Sequence, residues 1–172
     1  SSEVKTAAYS AEEIKVANER LTGKPAEEIV RWAADTFGSQ IAFASSFGAE
    51  DVALIDIVSR VAPELPMFTL DTGRLHDETY DVMERVRTRY ELPILSYFPD
   101  REAVEKLERE KGYYSFRESI ENRKECCGIR KVEPLGRILK TLDGWVTGLR
   151  RDQAVTRGAV RKVDIDTANG GI

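Results

Sequence analysis

The 172-residue sequence is poor in the residues that build disulfide scaffolds, with only 2 cysteines, and it contains a single histidine. The cysteines are adjacent, at Cys126 and Cys127, which excludes the disulfide framework of a small secreted domain. No apolar run approaches the roughly 18 residues of a membrane helix. Residues 1–10 lack the apolar core of a secretory signal, so we expect a cytoplasmic protein without membrane association.

Charge is unevenly distributed along the chain. The net charge is −4, yet the segment from Arg123 to Lys162 carries 11 basic residues against 4 acidic ones. A locally basic segment on an acidic chain favours a small anionic ligand. A nucleic-acid partner is not expected, because its binders are more often basic overall. The charge pattern alone is explained equally well by a solvent-exposed helix face.

Short apolar segments alternate with helical ones. This alternation predicts an α/β fold with a mostly parallel, twisted sheet flanked by helices. We expect the helices of residues 1–37 to pack on the sheet, and residues 38–172 to form the α/β domain itself. The predicted helices cover 10–21, 25–37, 49–61, 77–91 and 101–111, and the predicted strands cover 40–44, 66–70, 93–97, 144–148 and, at an edge, 162–166.

Ligands of open parallel sheets bind beyond the carboxyl ends of the strands. This rule selects the loops 45–51, 71–76 and 148–153. In the first loop, a strand leads through small residues into a helix, which directs unpaired N–H groups and a positive dipole end toward a ligand. Ser45 and Ser46 add hydroxyls, and Gly48 allows close approach. Without a Walker lysine this is not the common nucleotide P-loop. An ordinary helix start with Ser46 as the N-cap remains an alternative.

The other two loops also carry candidate ligand contacts. Asp71 could accept a hydrogen bond from a ribose hydroxyl, and Gly73 could leave space for a flat ring. An Asx-type turn is an equally good interpretation of this loop. Arg150 and Arg151 suit phosphate or sulfate, because a guanidinium binds such oxygens in a bidentate manner. A solvent-facing loop is the alternative there.

The adjacent cysteines lie in a basic string, Lys124 to Lys131. Their spacing does not match the usual Cys-x-x-Cys pattern of zinc or redox sites. They could bind neighbouring irons of one iron–sulfur cluster, although a cluster takes four thiolates and this chain has two. A pair of free thiols or a vicinal disulfide are the alternatives.

Taken together, these motifs resemble the assimilatory sulfonucleotide reductases. The resemblance covers roughly residues 25–166, and the double-cysteine string favours the iron–sulfur-containing branch, which reduces adenosine 5′-phosphosulfate (APS). The other branch mostly uses the 3′-phosphorylated substrate (PAPS). The matching strings are SSFGAED at 45–51, LDTGRLHDETY at 70–80, KECCGIRKVEPL at 124–135 and GLRRDQ at 148–153.

The resemblance implies a nucleotide-binding sheet of the adenine nucleotide alpha hydrolase type. It also implies reduction of APS to sulfite and AMP, with a thioredoxin or glutaredoxin-like thiol donor and a 4Fe–4S cluster. The protein is a possible homo-oligomer. Lys131 is the implied catalytic residue, and Cys126 and Cys127 are two of four implied cluster ligands. The implied substrate-binding residues are Ser45, Ser46, Gly48, Leu70, Asp71, Gly73, Arg74, Gly148 and Arg151.

The sequence departs from this pattern at its C-terminal side. The later Cys-x-x-Cys pair and the nucleophilic C-terminal cysteine are absent, and Ala154 stands where a serine is usual. We therefore expect the α/β domain to lack its C-terminal portion. Two alternatives stay open: a PAPS reductase, and a nucleotide-binding module without turnover.

Overall fold

The computed structural model describes residues 9–148. The first five helices and the four strands follow the predicted order, and two further helices lie between α5 and β4. The helices are α1 (Ala11–Leu21), α2 (Ala26–Phe37), α3 (Ala49–Val61), α4 (Asp77–Tyr90), α5 (Arg101–Lys111), α6 (Ile120–Cys127) and α7 (Glu133–Leu139), and the strands are β1 (Ile41–Ala44), β2 (Met67–Leu70), β3 (Ile94–Tyr97) and β4 (Gly144–Thr147).

Local signals define the helix ends. Ser10 caps the start of α1 with a capping box, in which the Ser10 hydroxyl accepts from the Glu13 N–H and the Glu13 carboxylate accepts from the Ser10 N–H. Pro25 is the N-cap of α2, one position before the first turn in which it was predicted, and Gly38 ends that helix with a positive φ of 57°.

The four described strands form one parallel sheet in the order β3-β2-β1-β4. The α/β fold with a parallel sheet is thus confirmed. The central strands β1 and β2 are apolar and buried, as expected for strands covered on both faces. The predicted edge strand at 162–166 lies outside the described residues.

Two hydrophobic clusters cover the two faces of the sheet. Successive strand residues point to opposite faces, so Phe43 and Ala42 belong to different clusters. The Phe43 cluster contains apolar residues of α2, α3 and α4, and the Ala42 cluster contains Ile138 and Leu139 of α7. The sheet therefore lies between two helical layers.

Residues 113–143 hold two helices that the sequence analysis did not predict. Between α6 and α7 the chain makes a π-helical turn, Gly128–Val132, in which the Glu133 N–H donates to the Gly128 carbonyl five residues earlier. Pro134 is the second residue of α7 and has no N–H for an ordinary i→i−4 bond. The π turn accommodates this missing donor inside a continuous helical segment.

The strand order places a topological switch beside β1. From β1 the chain proceeds to β2 and β3 on one side, and β4 pairs with β1 on the other side. Ligands of such sheets bind at this kind of reversal, beyond the carboxyl ends of the strands. Among residues 9–148, the structure has no helix long and apolar enough to cross a bilayer.

Candidate functional site

The loop between β1 and α3 is held by its own serines. The Ser45 N–H donates to the Phe68 carbonyl of β2 at 3.0 Å, and the Ser45 hydroxyl accepts from the Phe47 N–H at 3.1 Å. Ser45 is buried, with 5% of its surface exposed. Its hydroxyl thus shapes the loop, and Phe47 adopts a positive φ of 60°, which a bulky residue rarely does.

Ser46 is bonded to the first turn of the following helix. Its N–H and its hydroxyl both donate to Oδ2 of Asp51, at 2.7 and 2.6 Å. Asp51 is only 8% exposed. The N-cap of α3 is Gly48, so the alternative in which Ser46 caps the helix is wrong. The Asp51 carboxylate, accepting two hydrogen bonds from one residue, fixes Ser46 instead.

The amides left for a ligand come after Ser46. Among the described residues, the backbone N–H groups of Gly48 and Ala49 have no acceptor. Both residues are exposed and lie at the N-terminus of α3, where the helix dipole favours an anion. This pair of amides is the part of the loop best placed to bind a phosphate or sulfate oxygen.

The loop after β2 is organised by Asp71, which is 6% exposed. Its Oδ1 accepts from the Gly73 N–H at 2.9 Å, and the Tyr80 hydroxyl lies 2.9 Å from Oδ1 and 3.0 Å from Oδ2. Partial burial and the Asp71 carboxylate raise the pKa of the Tyr80 phenol. A carboxylate has about four acceptor positions, so Asp71 can still accept from one further donor.

The side chains that flank Asp71 differ in their surroundings. Leu70 is half-buried in the Ala42 cluster. The Arg74 guanidinium donates to the Tyr113 carbonyl and lies over the rings of Tyr114 and Phe116, 5.5 and 5.2 Å from their centroids. The Arg74 guanidinium therefore binds to the segment that follows α5.

At the end of β4, Gly148 contacts the first loop. A Cβ added to Gly148 would lie 2.1 Å from Oδ1 of Asp51. Only a glycine allows the β4 end and the Asp51 carboxylate to approach this closely. The contact brings the loops after β1 and β4 together. Arg151, the cation predicted for this loop, lies outside the described residues.

The two cysteines end α6. Cys126 is half-buried, Cys127 is exposed, and both are free thiols. Lys131 is exposed on the π turn and pairs with no other described residue. Four thiolates hold an iron–sulfur cluster, and the sequence supplies two. Residues 9–148 contain no group of three or more cysteine, histidine or carboxylate side chains able to hold a metal. The chain alone therefore offers half of a cluster's ligands.

Arg130 is a residue that the sequence analysis missed. It lies on the π turn, is 7% exposed, and donates from Nη1 to the Thr72 carbonyl at 2.7 Å. Its Nη2 donates to Oε1 of Glu108 on α5 at 3.2 Å. A buried arginine inside a basic string has no sequence signal that separates it from its exposed neighbours.

The structure brings the loops that carry the predicted residues into contact at one edge of the sheet. Ser45 bonds to β2, Asp51 contacts Gly148, and Arg130 joins the cysteine-bearing helix to the loop after β2. These contacts lie at the carboxyl ends of β1, β2 and β4. Fold and site together define an α/β protein whose exposed α3 amides lie at the carboxyl edge of the sheet, with the cysteine-bearing segment joined to the same edge through Arg130.

Comparison with known proteins identifies the family. The sequence profile of the phosphoadenosine phosphosulfate reductase domain matches residues 40–172. The chain therefore belongs to this family. A crystal structure of phosphoadenylyl-sulfate (PAPS) reductase from Candida auris, in complex with phosphate, matches with a TM-score of 0.80 over 96% of this chain and 78% of that chain. At 24% identity, that likeness shows the shared fold.

Among curated relatives, adenosine 5′-phosphosulfate reductase from Burkholderia cepacia is 44% identical over 131 residues, which is 76% of this chain and 52% of the relative. The enzyme of the same name from Pseudomonas aeruginosa is 42% identical, over 86% of this chain and 55% of the relative. A probable chloroplastic 5′-adenylylsulfate reductase from rice is 43% identical, over 90% and 32%. The chain spans about half the length of the bacterial relatives and about a third of the rice protein.

Proposed function

We propose that the protein reduces adenosine 5′-phosphosulfate to sulfite and AMP, with electrons from a thioredoxin or glutaredoxin-like dithiol. The observation that carries the proposal is the meeting of the α3 amides, the Asp71 loop and the cysteine-bearing helix at one sheet edge. The relatives that span most of this chain, and whose names specify APS, support that substrate over PAPS.

The proposed chemistry is thiol exchange at sulfur. A thiolate attacks the sulfur of the sulfuryl group, an S–S bond forms, the S–O bond breaks, and AMP leaves with the electron pair. A thiol of the donor then attacks the sulfur of the S-sulfocysteine that joins it to the protein. Sulfite leaves with the electron pair of the broken S–S bond, and a mixed disulfide now joins the donor to the protein. The second thiol of the donor attacks the donor sulfur of that mixed disulfide, so the donor closes to a disulfide with loss of its protons and the protein cysteine leaves as a thiolate. The two electrons come from the thiols. Cys126 and Cys127 are not the proposed nucleophile, which lies outside these 172 residues.

The proposed roles follow from the site. The amides of Gly48 and Ala49 bind phosphate or sulfate oxygens at the positive end of α3. Asp71 accepts from a ribose hydroxyl while keeping its bonds within the loop. Lys131, exposed and without a described partner, contacts the sulfuryl end of the bound phosphosulfate, and Lys131 and Arg151 together stabilise the negative charge of the ligand.

The proposed cofactor is a 4Fe–4S cluster, with Cys126 and Cys127 as two of its ligands. The remaining two thiolates would come from outside this chain, because it has no further cysteine. The thiol-exchange steps of the proposed reaction do not involve the cluster. When bound, it would supply an electrostatic environment beside Lys131.

Calorimetric titration of the 172-residue chain with AMP, APS and PAPS tests the substrate assignment. We expect AMP and APS to bind, and PAPS to bind about tenfold more weakly, since the described site shows no additional cation for its 3′-phosphate. A preference for PAPS would overturn the choice of substrate, and no binding of any adenylate would overturn the site. Because the proposed nucleophile is not among these 172 residues, the titration tests binding and not turnover.

The role of Lys131 is tested separately. Lys131→Ala should weaken APS binding more than AMP binding, because only APS carries the sulfuryl group. Lys106→Ala, at an exposed position on α5, is the matched control and should bind both ligands as the unaltered chain does. Equal losses for AMP and APS would contradict a contact between Lys131 and the sulfuryl group.

A further inference from the structure

A buried arginine joins the two halves of the candidate site. Arg130 lies three residues after Cys127 and one before Lys131, and its guanidinium reaches across to the loop after β2. In the part of the chain that the structure describes, its bond to the Thr72 carbonyl is the only hydrogen bond between the segment 120–139 and the loop 71–76. We call the contacts of Arg130 with Thr72 and Glu108 the Arg130 bridge.

The Arg130 bridge is tightly packed. A Cβ on Gly73 would lie 3.2 Å from Nη1 of Arg130, so the guanidinium rests against the loop backbone. The side chain of Arg130 is 8% exposed, and that of Glu108 is 34% exposed. Any shift of the Gly73 backbone toward the helix must therefore move the guanidinium, because close-packed interiors transmit displacement.

Burial of the Arg130 guanidinium would cost free energy without benefit if the side chain only filled space. A buried guanidinium loses its hydration, and here the Nε–H has no hydrogen-bond partner among residues 9–148. An apolar side chain of similar volume would avoid that cost. What the arginine adds is a directed bond between the cysteine-bearing turn and the loop whose Asp71 is the proposed ribose contact.

We propose that Arg130 is a positioning residue that couples nucleotide binding at the Asp71 loop to the order of the cysteine-bearing turn, residues 126–132. Occupation of the loop fixes the Thr72 carbonyl, and the Arg130 bridge passes this restraint to the segment that holds both thiols and Lys131. The inference rests on the proposed function, since it takes the loop after β2 to bind the nucleotide.

Hydrogen–deuterium exchange, followed by mass spectrometry on the 172-residue chain, tests the coupling with AMP as the probe. In the unaltered chain, AMP should slow exchange in residues 70–76 and also in residues 126–132. In Arg130→Gln, the slowing at 70–76 should remain, whereas the slowing at 126–132, expected to be about fivefold or more, should be lost. A purely structural role would raise exchange in both segments with and without AMP.

Two further variants keep the test decisive if Arg130→Gln does not fold. Arg130→Lys retains the charge but cannot reach both acceptors in a fork, so it should keep the fold and lose most of the coupling. In Glu108→Gln, Arg130 still donates to the Thr72 carbonyl, so the coupling should remain. Protection at 70–76 without protection at 126–132 in the unaltered chain would overturn the coupling alone. Equal protection of both segments in the Arg130 variants would show that another contact carries it. Absence of protection at 70–76 would overturn the proposed nucleotide site and the inference with it.

Discussion

The contact between Gly148 and Asp51 predicts that Gly148→Ala damages the loop after β1. The new Cβ would lie 2.1 Å from Oδ1 and 3.3 Å from Cγ of Asp51, so the carboxylate must retreat by about 1 Å or more. The retreat breaks the two bonds from Ser46, each of which stabilises by roughly 1.5–3 kcal/mol because the acceptor is charged. Partial relaxation reduces the loss, and we expect a destabilisation of about 2–4 kcal/mol.

Thermal and urea unfolding measure this loss, and calorimetry measures AMP binding. For a domain of this size the melting temperature should fall by roughly 5–15 °C. AMP should bind about tenfold more weakly, because Ser46 leads directly into the amides of Gly48 and Ala49. Gly136→Ala is the matched control: a Cβ there meets nothing within 4 Å, and the change should stabilise α7 by up to about 1 kcal/mol.

A double-mutant cycle identifies the clash itself. Asp51→Ala removes the carboxylate that the new methyl group would strike. Gly148→Ala should then cost almost nothing in the Asp51→Ala background, which is a strong departure from additivity. The reasoning is refuted if Gly148→Ala has the same melting temperature as the unaltered chain. It is also refuted if Gly148→Ala lowers the free energy of unfolding by the same amount with and without the Asp51 carboxylate.

Three more outcomes follow from the loop after β2. Tyr80→Phe removes the hydroxyl bonded to Asp71 and should cost about 1 kcal/mol in urea unfolding; an unchanged midpoint would contradict that bond. The raised pKa of Tyr80 means that the folded state holds this proton more tightly, so its contribution to stability is complete below about pH 10 and is lost as the pH rises through the folded-state value. The stability difference between Tyr80→Phe and the unaltered chain should therefore shrink in alkaline urea titrations, and a growing difference would be the wrong sign. Gly73→Ala and Gly112→Ala both replace a glycine with φ near 75°, but only the former meets Arg130, so the former should cost more in thermal unfolding; equal costs would contradict the contact.

Much of the fold could be predicted because its signals are local. The strands β1 and β2 are short apolar runs that end in small or acidic residues, and a strand buried on both faces needs little else. The start of α1 could also be predicted, because Ser10 and Glu13 have the spacing of a capping box in the sequence. Parallel order then followed from the lengths of the connecting helices.

Helix α6 was missed because its sequence shows almost no hydrophobic periodicity. No residue of α6 is buried, so nothing in its sequence marks an inward face. Ser119 caps its start by accepting from the Asn122 N–H, a local signal that the sequence analysis did not use. Near its end, Glu125 pairs with Lys111 of α5 at 3.0 Å, and only the folded chain brings these two residues together.

In the candidate site, too, some features follow from local sequence signals and others depend on tertiary contacts. That Ser45, Asp71 and Gly148 lie near one another could be predicted from the rule about strand ends. Which donors remain for a ligand could not be predicted, because Ser46 is bonded by Asp51 through a contact that depends on side-chain rotamers. Arg130 was indistinguishable from the exposed cations around it until its burial was known.

The π-helical turn makes the spacing between the cysteines and α7 unusually sensitive to chain length. One residue added to or removed from a helix rotates everything beyond it by about 100°. A single-residue deletion within 128–132 could restore regular α-helical winding and leave both neighbouring helices intact. It would nevertheless rotate the cysteine-bearing helix α6 relative to α7, whose Ile138 and Leu139 stay packed against the sheet. In this segment the number of residues, as much as their chemical identity, is under constraint.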